Sequence, residues 1–247
     1  MIVGSTKKEH DARLRMVLSR LQSAGLRLRA DKCAICKSQV VFLGHLLSAN
    51  GIQPLADKVA AIQDVPTPES TADVNVFLGM LQYYGRFLPG LATVVEPLHR
   101  LFDKGHQWAW TPQCDRAFHM AKALLSSQSV LVHFDPELPT ILSVDASPYG
   151  LGAVLAHKMP DGSERPIAFA SRTLSVAERR YAQVDTEALA VVFGTKKFHM
   201  YFFGRHFTIV TDHKPALGLL NATRATPAAA ARGYFVGLWI LEDMTMS

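Results

Sequence analysis

Apolar positions along this chain recur first with a helical period, then with a strand period, then with a helical one again. Leu14, Val17, Leu18 and Leu21 follow the i, i+3, i+4, i+7 rule. Thr6 with Glu9 forms a capping-box pattern, so a helix is expected over residues 6–28 with Gly25 as its stop. The stretch QVVFLGHLLSANGI is β-rich with Asn50-Gly51 as its turn signal, and Pro66 and Pro68 break the chain before the next helix. That helix runs from a Ser70 or Thr71 cap through Phe87, with Val74, Phe77, Leu78, Leu81 and Tyr84 on one face. Aromatics at helical spacing are core residues more often than base-stacking platforms, so Tyr83 and Tyr84 are read as core. A further helix opens at Thr111 with Pro112 at its first position, and Trp108, Trp110 and Phe118 are read as packing residues.

From residue 138 the period changes. TILSVDAS reads as a strand, GLGAVLAH as its hairpin partner through the SPYG turn, and RPIAFASRTL as a third strand. Residues 176–202 read as a long helix, HFTIVTD as a fourth strand and PALGLLN as a short helix. Three strands, a helix, a strand and a helix describe a mixed sheet with helices packed on it, an α/β (α+β) architecture. The main domain boundary is expected near 137.

Composition adds a globular chain of 247 residues, 49% hydrophobic, with room for one large or two modest domains. No apolar run approaches the roughly 18–20 residues of a membrane helix, and the N-terminus lacks a secretory stretch, so an intracellular protein is expected. Cys33, Cys36 and Cys114 cannot all pair, which fits a reducing compartment. Cys33 and Cys36 have metal-ligand spacing, but no second pair follows; buried thiols and no zinc are expected. The net charge of +5 is unevenly spread: residues 1–40 hold nine Lys or Arg against three acids, 41–137 are net −3, and 138–232 are net +4. Two basic zones around an acidic middle suit contact with a polyanion at two places.

Three acids carry the candidate chemistry. Asp145 ends an apolar strand, Asp212 follows the apolar FTIV run, and Glu187 lies roughly 65° from the centre of the apolar face formed by Tyr181, Val184, Ala188, Val191, Thr195, Phe198 and Phe202, at about 100° per residue. Glu187 therefore points toward the sheet. A carboxylate there must be paired, protonated or metal-bound, because an isolated buried charge costs several kcal/mol. Carboxylates are the ligands Mg²⁺ prefers, and phosphodiester hydrolysis by two metal ions needs them. Neither a Ser-His-Asp order nor a phosphate-cradling glycine loop competes, since Gly150 and Gly152 sit in a hairpin.

The blocks IVGSTKKEHDARLRMVLSRLQSAGLRL, KCAICKSQVVFLGHLLSANGI, FLGMLQYYGRFLPGLA, SVDASPYGLGAVLAH and FGRHFTIVTDHKPALGLL, in that order, resemble part of the Pol polyprotein of a gypsy-type LTR retrotransposon, from residue 1 to about 222. The resemblance implies a C-terminal edge of a reverse transcriptase palm over 1–52, a thumb-like helical region over 53–100, a connection over 101–137, a ribonuclease H-like domain over 138–232 and a divergent tail over 233–247. It implies cleavage of the RNA strand of RNA/DNA hybrids, with Asp145, Glu187 and Asp212 as catalytic metal ligands for Mg²⁺ or Mn²⁺. Phe42, Leu43, Gly44 and His45 match the primer grip.

Basic residues Arg172, Lys196, Lys197 and Arg205 are candidates to guide phosphates. In the family, the polymerase's paired aspartates precede IVGS, so no DNA synthesis is expected of this chain alone. The family also continues to a fourth acid in an ADALSR-like motif. Here TPAAAARGYFVGLWILEDMTMS departs from that pattern and Asp243 is given no ligand role, so a truncated domain lacking its fifth strand, with an exposed sheet edge, is expected. The alternative function is a catalytically impaired nucleic-acid-binding remnant. Expected partners are an RNA/DNA hybrid or other nucleic acid and the remainder of a retroelement polyprotein, with no membrane. Expected compartments are the cytoplasm, with nuclear access.

Overall fold

The computed structural model describes residues 1–103, 107–127 and 130–212, and the backbone of 244–246. Its described residues form two compact units, 1–40 and 41–247. The expected divisions at 52 and 100 rest on resemblance and that at 137 also on the change of period, criteria different from compactness.

In the first unit, helix α1 (Lys7–Ser23) starts where the Thr6 hydroxyl accepts from the Glu9 amide. The Glu9 carboxylate reaches back to the amide of Ser5 at 2.8 Å, one residue beyond the usual capping-box partner. The helix ends at Ala24, earlier than expected, and Gly25 follows at φ +70°, the left-handed conformation in which glycine has no Cβ penalty. Leu14, Val17 and Leu21 are half-buried and Leu18 is exposed; no residue of 1–40 is fully buried.

A small sheet follows in the order β1 (Gln39–Phe42), β2 (His45–Ser48), β3 (Gly51–Pro54). Register pairs Ser48 with Gly51, so the two-residue turn is Ala49-Asn50 and Gly51 begins the strand. Gly51 sits at φ +135° against the Leu131 carbonyl, where a Cβ has no room. Ile52 and Leu131 exchange backbone hydrogen bonds of 2.8 and 3.1 Å.

Helix α2 (Ala56–Gln63) precedes α3 (Thr71–Tyr83), which is capped by Ser70; the turn 85–87 is a separate 3₁₀ segment. Short helices α4 (Leu91–Val94) and α5 (Glu96–His99) lead to α6 (Pro112–Ser126), capped by Thr111. Val74, Phe77, Leu81, Tyr84, Phe87 and Phe118 bury the first core. Two aromatic readings need correction: Tyr83, beside the inward-facing Tyr84, is 52% exposed, and Trp108, which precedes α6, is 37% exposed.

The second core lies in a five-stranded mixed sheet built from β4 (Thr140–Ala146), β5 (Gly150–Lys158), β6 (Glu164–Thr173), β7 (Phe207–Val210) and β8 (Met244–Met246), ordered β6-β5-β4-β7-β8. β4, β5 and β6 pair antiparallel, and β7 joins β4 in parallel. The expected missing fifth strand is corrected: β8 pairs in parallel with β7 and covers that edge.

The long helix expected from 176 is shorter. Residues 178–180 form a 3₁₀ turn, α7 spans Gln183–Lys197, and α8 (His199–Phe202) follows. Tyr181 consequently precedes the helix and is exposed. α7 packs closely on the sheet at Gly194, where an added Cβ would lie 3.0 Å from Val144 Cγ1 and 3.2 Å from both Ala153 Cβ and Leu142 Cδ1. The expected helix over 215–221 lies outside the described residues. Among the described residues, no helix is long and apolar enough to cross a membrane.

The segment 85–100 lies against the sheet on β5 and β6. Arg86 Nη2 donates to the Ile167 carbonyl at 3.5 Å and the Ala92 amide to Ser171 Oγ at 3.0 Å. Phe169 packs against the helical core, and the buried Glu96 accepts from Arg100 Nε at 2.7 Å with Arg179 3.3 Å away.

Candidate metal centre

The parallel register of β4 and β7 brings two of the acids together. Ser143 pairs with Val210, so two residues further on Asp145 and Asp212 leave adjacent strand ends at the same level, about 4.8 Å apart in strand spacing. Glu187 arrives from α7, which crosses that sheet. One carboxylate oxygen from each of Asp145, Glu187 and Asp212 lies within 4.8 Å of the others. Asp145 and Asp212 are exposed and Glu187 is 3% exposed.

Two local arrangements hold this geometry, and neither was anticipated from sequence. Gln183 Nε2 donates to Glu187 Oε1 at 2.7 Å, an i, i+4 contact readable in principle from helical spacing. Beyond Asp145, the Ser147 hydroxyl accepts from the amides of Gly150 at 2.9 Å and Tyr149 at 3.3 Å, and lies 3.0 Å from Thr93 Oγ1. The Thr93 contact spans distant sequence and carries no sequence signal.

The donor set fits a hard divalent cation. Three carboxylates this close repel one another, and a dication offsets that repulsion while accepting oxygen ligands. Among the described residues, no imidazole or thiolate joins this cluster, which suits a hard metal rather than a soft one. Glu242 and Asp243 lie outside the described residues.

The basic candidates are placed differently from one another. Lys196 and Lys197 are exposed at the end of α7. Arg172 is held by Glu178 in a bidentate pair, both bonds 2.8 Å, and this hydrogen-bonded guanidinium lowers the Glu178 carboxyl to about 2. Arg205 donates to the Pro136 carbonyl at 3.0 Å and lies over Phe134.

At the β1–β2 hairpin, Leu43 and Gly44 have φ +45° and +67°, the pair of positive angles a tight type I′ turn demands. Leu43 is 71% exposed at its tip, and Phe42 is also exposed. His45 stacks between Tyr83 and Phe87, with centroids at 5.5 and 5.4 Å, while the Tyr83 hydroxyl donates to the Leu43 carbonyl at 2.5 Å.

A five-stranded mixed sheet in this order, with a helix-borne glutamate between two strand-end aspartates, defines a ribonuclease H-like domain. Residues 110–209 match the family described as the RNase H-like domain found in reverse transcriptase. The chain is 35% identical over 223 residues to the retrovirus-related Pol polyprotein from transposon 297 of Drosophila melanogaster, covering 90% of this chain and 20% of that protein. It is 31% identical over 223 residues to the transposon Tf2-3 polyprotein of Schizosaccharomyces pombe, covering 90% and 17%.

Among solved structures, the foamy viral protease-reverse transcriptase in complex with RNA/DNA hybrid superimposes with a TM-score of 0.77 at 21% identity, over 99% of this chain and 33% of that one. Its complex with dsDNA gives 0.78 at 21% identity, over 99% and 52%. Over nine-tenths of its length, the chain is a relative of retrotransposon Pol polyproteins of the gypsy type. It spans about a fifth of the length of the curated relatives it matches.

Proposed function

We propose that this chain cleaves the RNA strand of RNA/DNA hybrids, using Asp145, Glu187 and Asp212 as the metal-binding acids. The observation that carries this reading is the convergence of the three carboxylates from β4, α7 and the end of β7. Mg²⁺, or Mn²⁺ in its place, bound by these residues supplies activation of the attacking water and stabilisation of the leaving 3′-oxygen. The exposed Asp145 and Asp212 face arriving substrate. Buried Glu187, positioned by Gln183, keeps its orientation without reorganising.

Lys196 and Lys197 are assigned to phosphates of the hybrid. Arg172 and Arg205 are assigned to the same task, Arg172 reduced in reach by its pairing with Glu178. Phe42, Leu43, Gly44 and His45 are assigned to a strand-holding hairpin, whose exposed tip and clamped base suit that task. The proposed setting is the cytoplasm with nuclear access, within a larger retroelement polyprotein.

The test uses the purified chain with a labelled RNA/DNA hybrid in Mg²⁺. Asp145→Asn should reduce cleavage by about 100-fold or more with circular dichroism unchanged. Cleavage equal to wild type in this variant sinks the assignment. A folded wild-type chain that binds the hybrid in a salt-sensitive manner without cutting it favours the binding-only alternative.

A further inference from the structure

A second group of metal-ligating side chains lies in the first unit, far in sequence from the three acids. His10 and Asp11 of α1 and Cys36 of the following segment place one ligand atom each within 4.8 Å of one another. We propose that His10, Asp11 and Cys36 bind a zinc-class transition-metal ion that staples residues 1–40.

Geometry supplies the first argument. His10 Nδ1 lies 3.3 Å from Asp11 Oδ1. Zinc bonds of about 2.0–2.2 Å to nitrogen and oxygen put neighbouring ligands of a tetrahedron about 3.4 Å apart, so this pair already spans one edge. The Cys36 thiol is exposed, and its Sγ lies within 4.8 Å of the ligand atoms of His10 and Asp11.

The backbone supplies the second. Cys36 sits at φ +54°, a left-handed conformation that a cysteine rarely adopts and that recurs where a side chain is clamped onto a ligand. The ligand chemistry supplies the third. Imidazole, carboxylate and thiolate together select zinc over the hard cations suited to the three-carboxylate centre. The spacing of Cys33 and Cys36 predicts no zinc because no second pair follows in sequence. The fold brings the remaining ligands from α1 instead, and the expectation that both thiols are buried is corrected, since Cys33 and Cys36 are exposed.

The experiment titrates the full reduced chain with Co²⁺ as a spectroscopic substitute. A thiolate-to-cobalt charge-transfer band should saturate at one equivalent and be displaced by Zn²⁺. It should vanish in Cys36→Ser, persist in Cys114→Ser, and require about tenfold or more Co²⁺ in His10→Ala. Zn²⁺ should also protect residues 1–40 from limited proteolysis in wild type but not in Cys36→Ser. No band in wild type, or a band that survives Cys36→Ser, overturns the proposal.

Discussion

At Gly44 a single hydrogen atom does the work of a side chain. Its φ of +67° and the Tyr83 hydroxyl, 2.7 Å from where a Cβ would stand, both select glycine. Gly44→Ala should destabilise the chain by about 1–2 kcal/mol, read as a lower urea midpoint, because left-handed backbone is costly for alanine and the Tyr83 hydrogen bond to Leu43 must yield. The FLGH motif was legible in sequence, but its clamp was not: Tyr83 lies 40 residues from Leu43. Asp145 and Asp212 were legible as strand-end acids. That they leave adjacent strands at one level depends on the register of β4 with β7, which no local pattern encodes.

Among the elements, α7 governs the candidate metal centre because it carries Glu187 and is seated by Gly194. Gly194→Val should cost about 1–3 kcal/mol in urea unfolding, since Ala153 Cβ is fixed to its strand and cannot give way, and hybrid cleavage should fall with it as Glu187 is displaced. Ahead of α7, the segment joining it to β6 is held by Arg172 with Glu178. Glu178 is lowered from 4.5 to about 2 by that guanidinium. Its contribution to stability is therefore complete above about pH 4.5 and lost as pH falls through 2. Thermal melts across this range should show a shallower acid decline in Glu178→Gln than in wild type. Equal slopes would show that the pair does not couple folding to pH. The helical period of 183–197 was readable, whereas the 3₁₀ turn before it was not, because Tyr181 falls at helical spacing from Val184 and Ala188 and so imitates a continuing helix.

For the molecule as a whole, the helical segment 85–100 and the sheet form one packed body within 41–247. A fragment of residues 138–247 loses Arg86, Ala92 and Glu96 from β6 and the turn at Arg179, and leaves Phe169 without its helical partners. It should unfold at lower urea than residues 41–247, by at least the roughly 1.5–3 kcal/mol of exposing one such side chain. Equal stability would show the sheet to be self-sufficient. By itself, the sequence determined most element types, the mixed α/β class and the three acids, because period, capping and turn residues act over a few positions. Tertiary structure alone decided which carboxylates meet, which cations are already paired, which edge β8 covers and how His10 and Asp11 reach Cys36. Those outcomes depend on strand register and on contacts between residues distant in sequence, where no local rule operates.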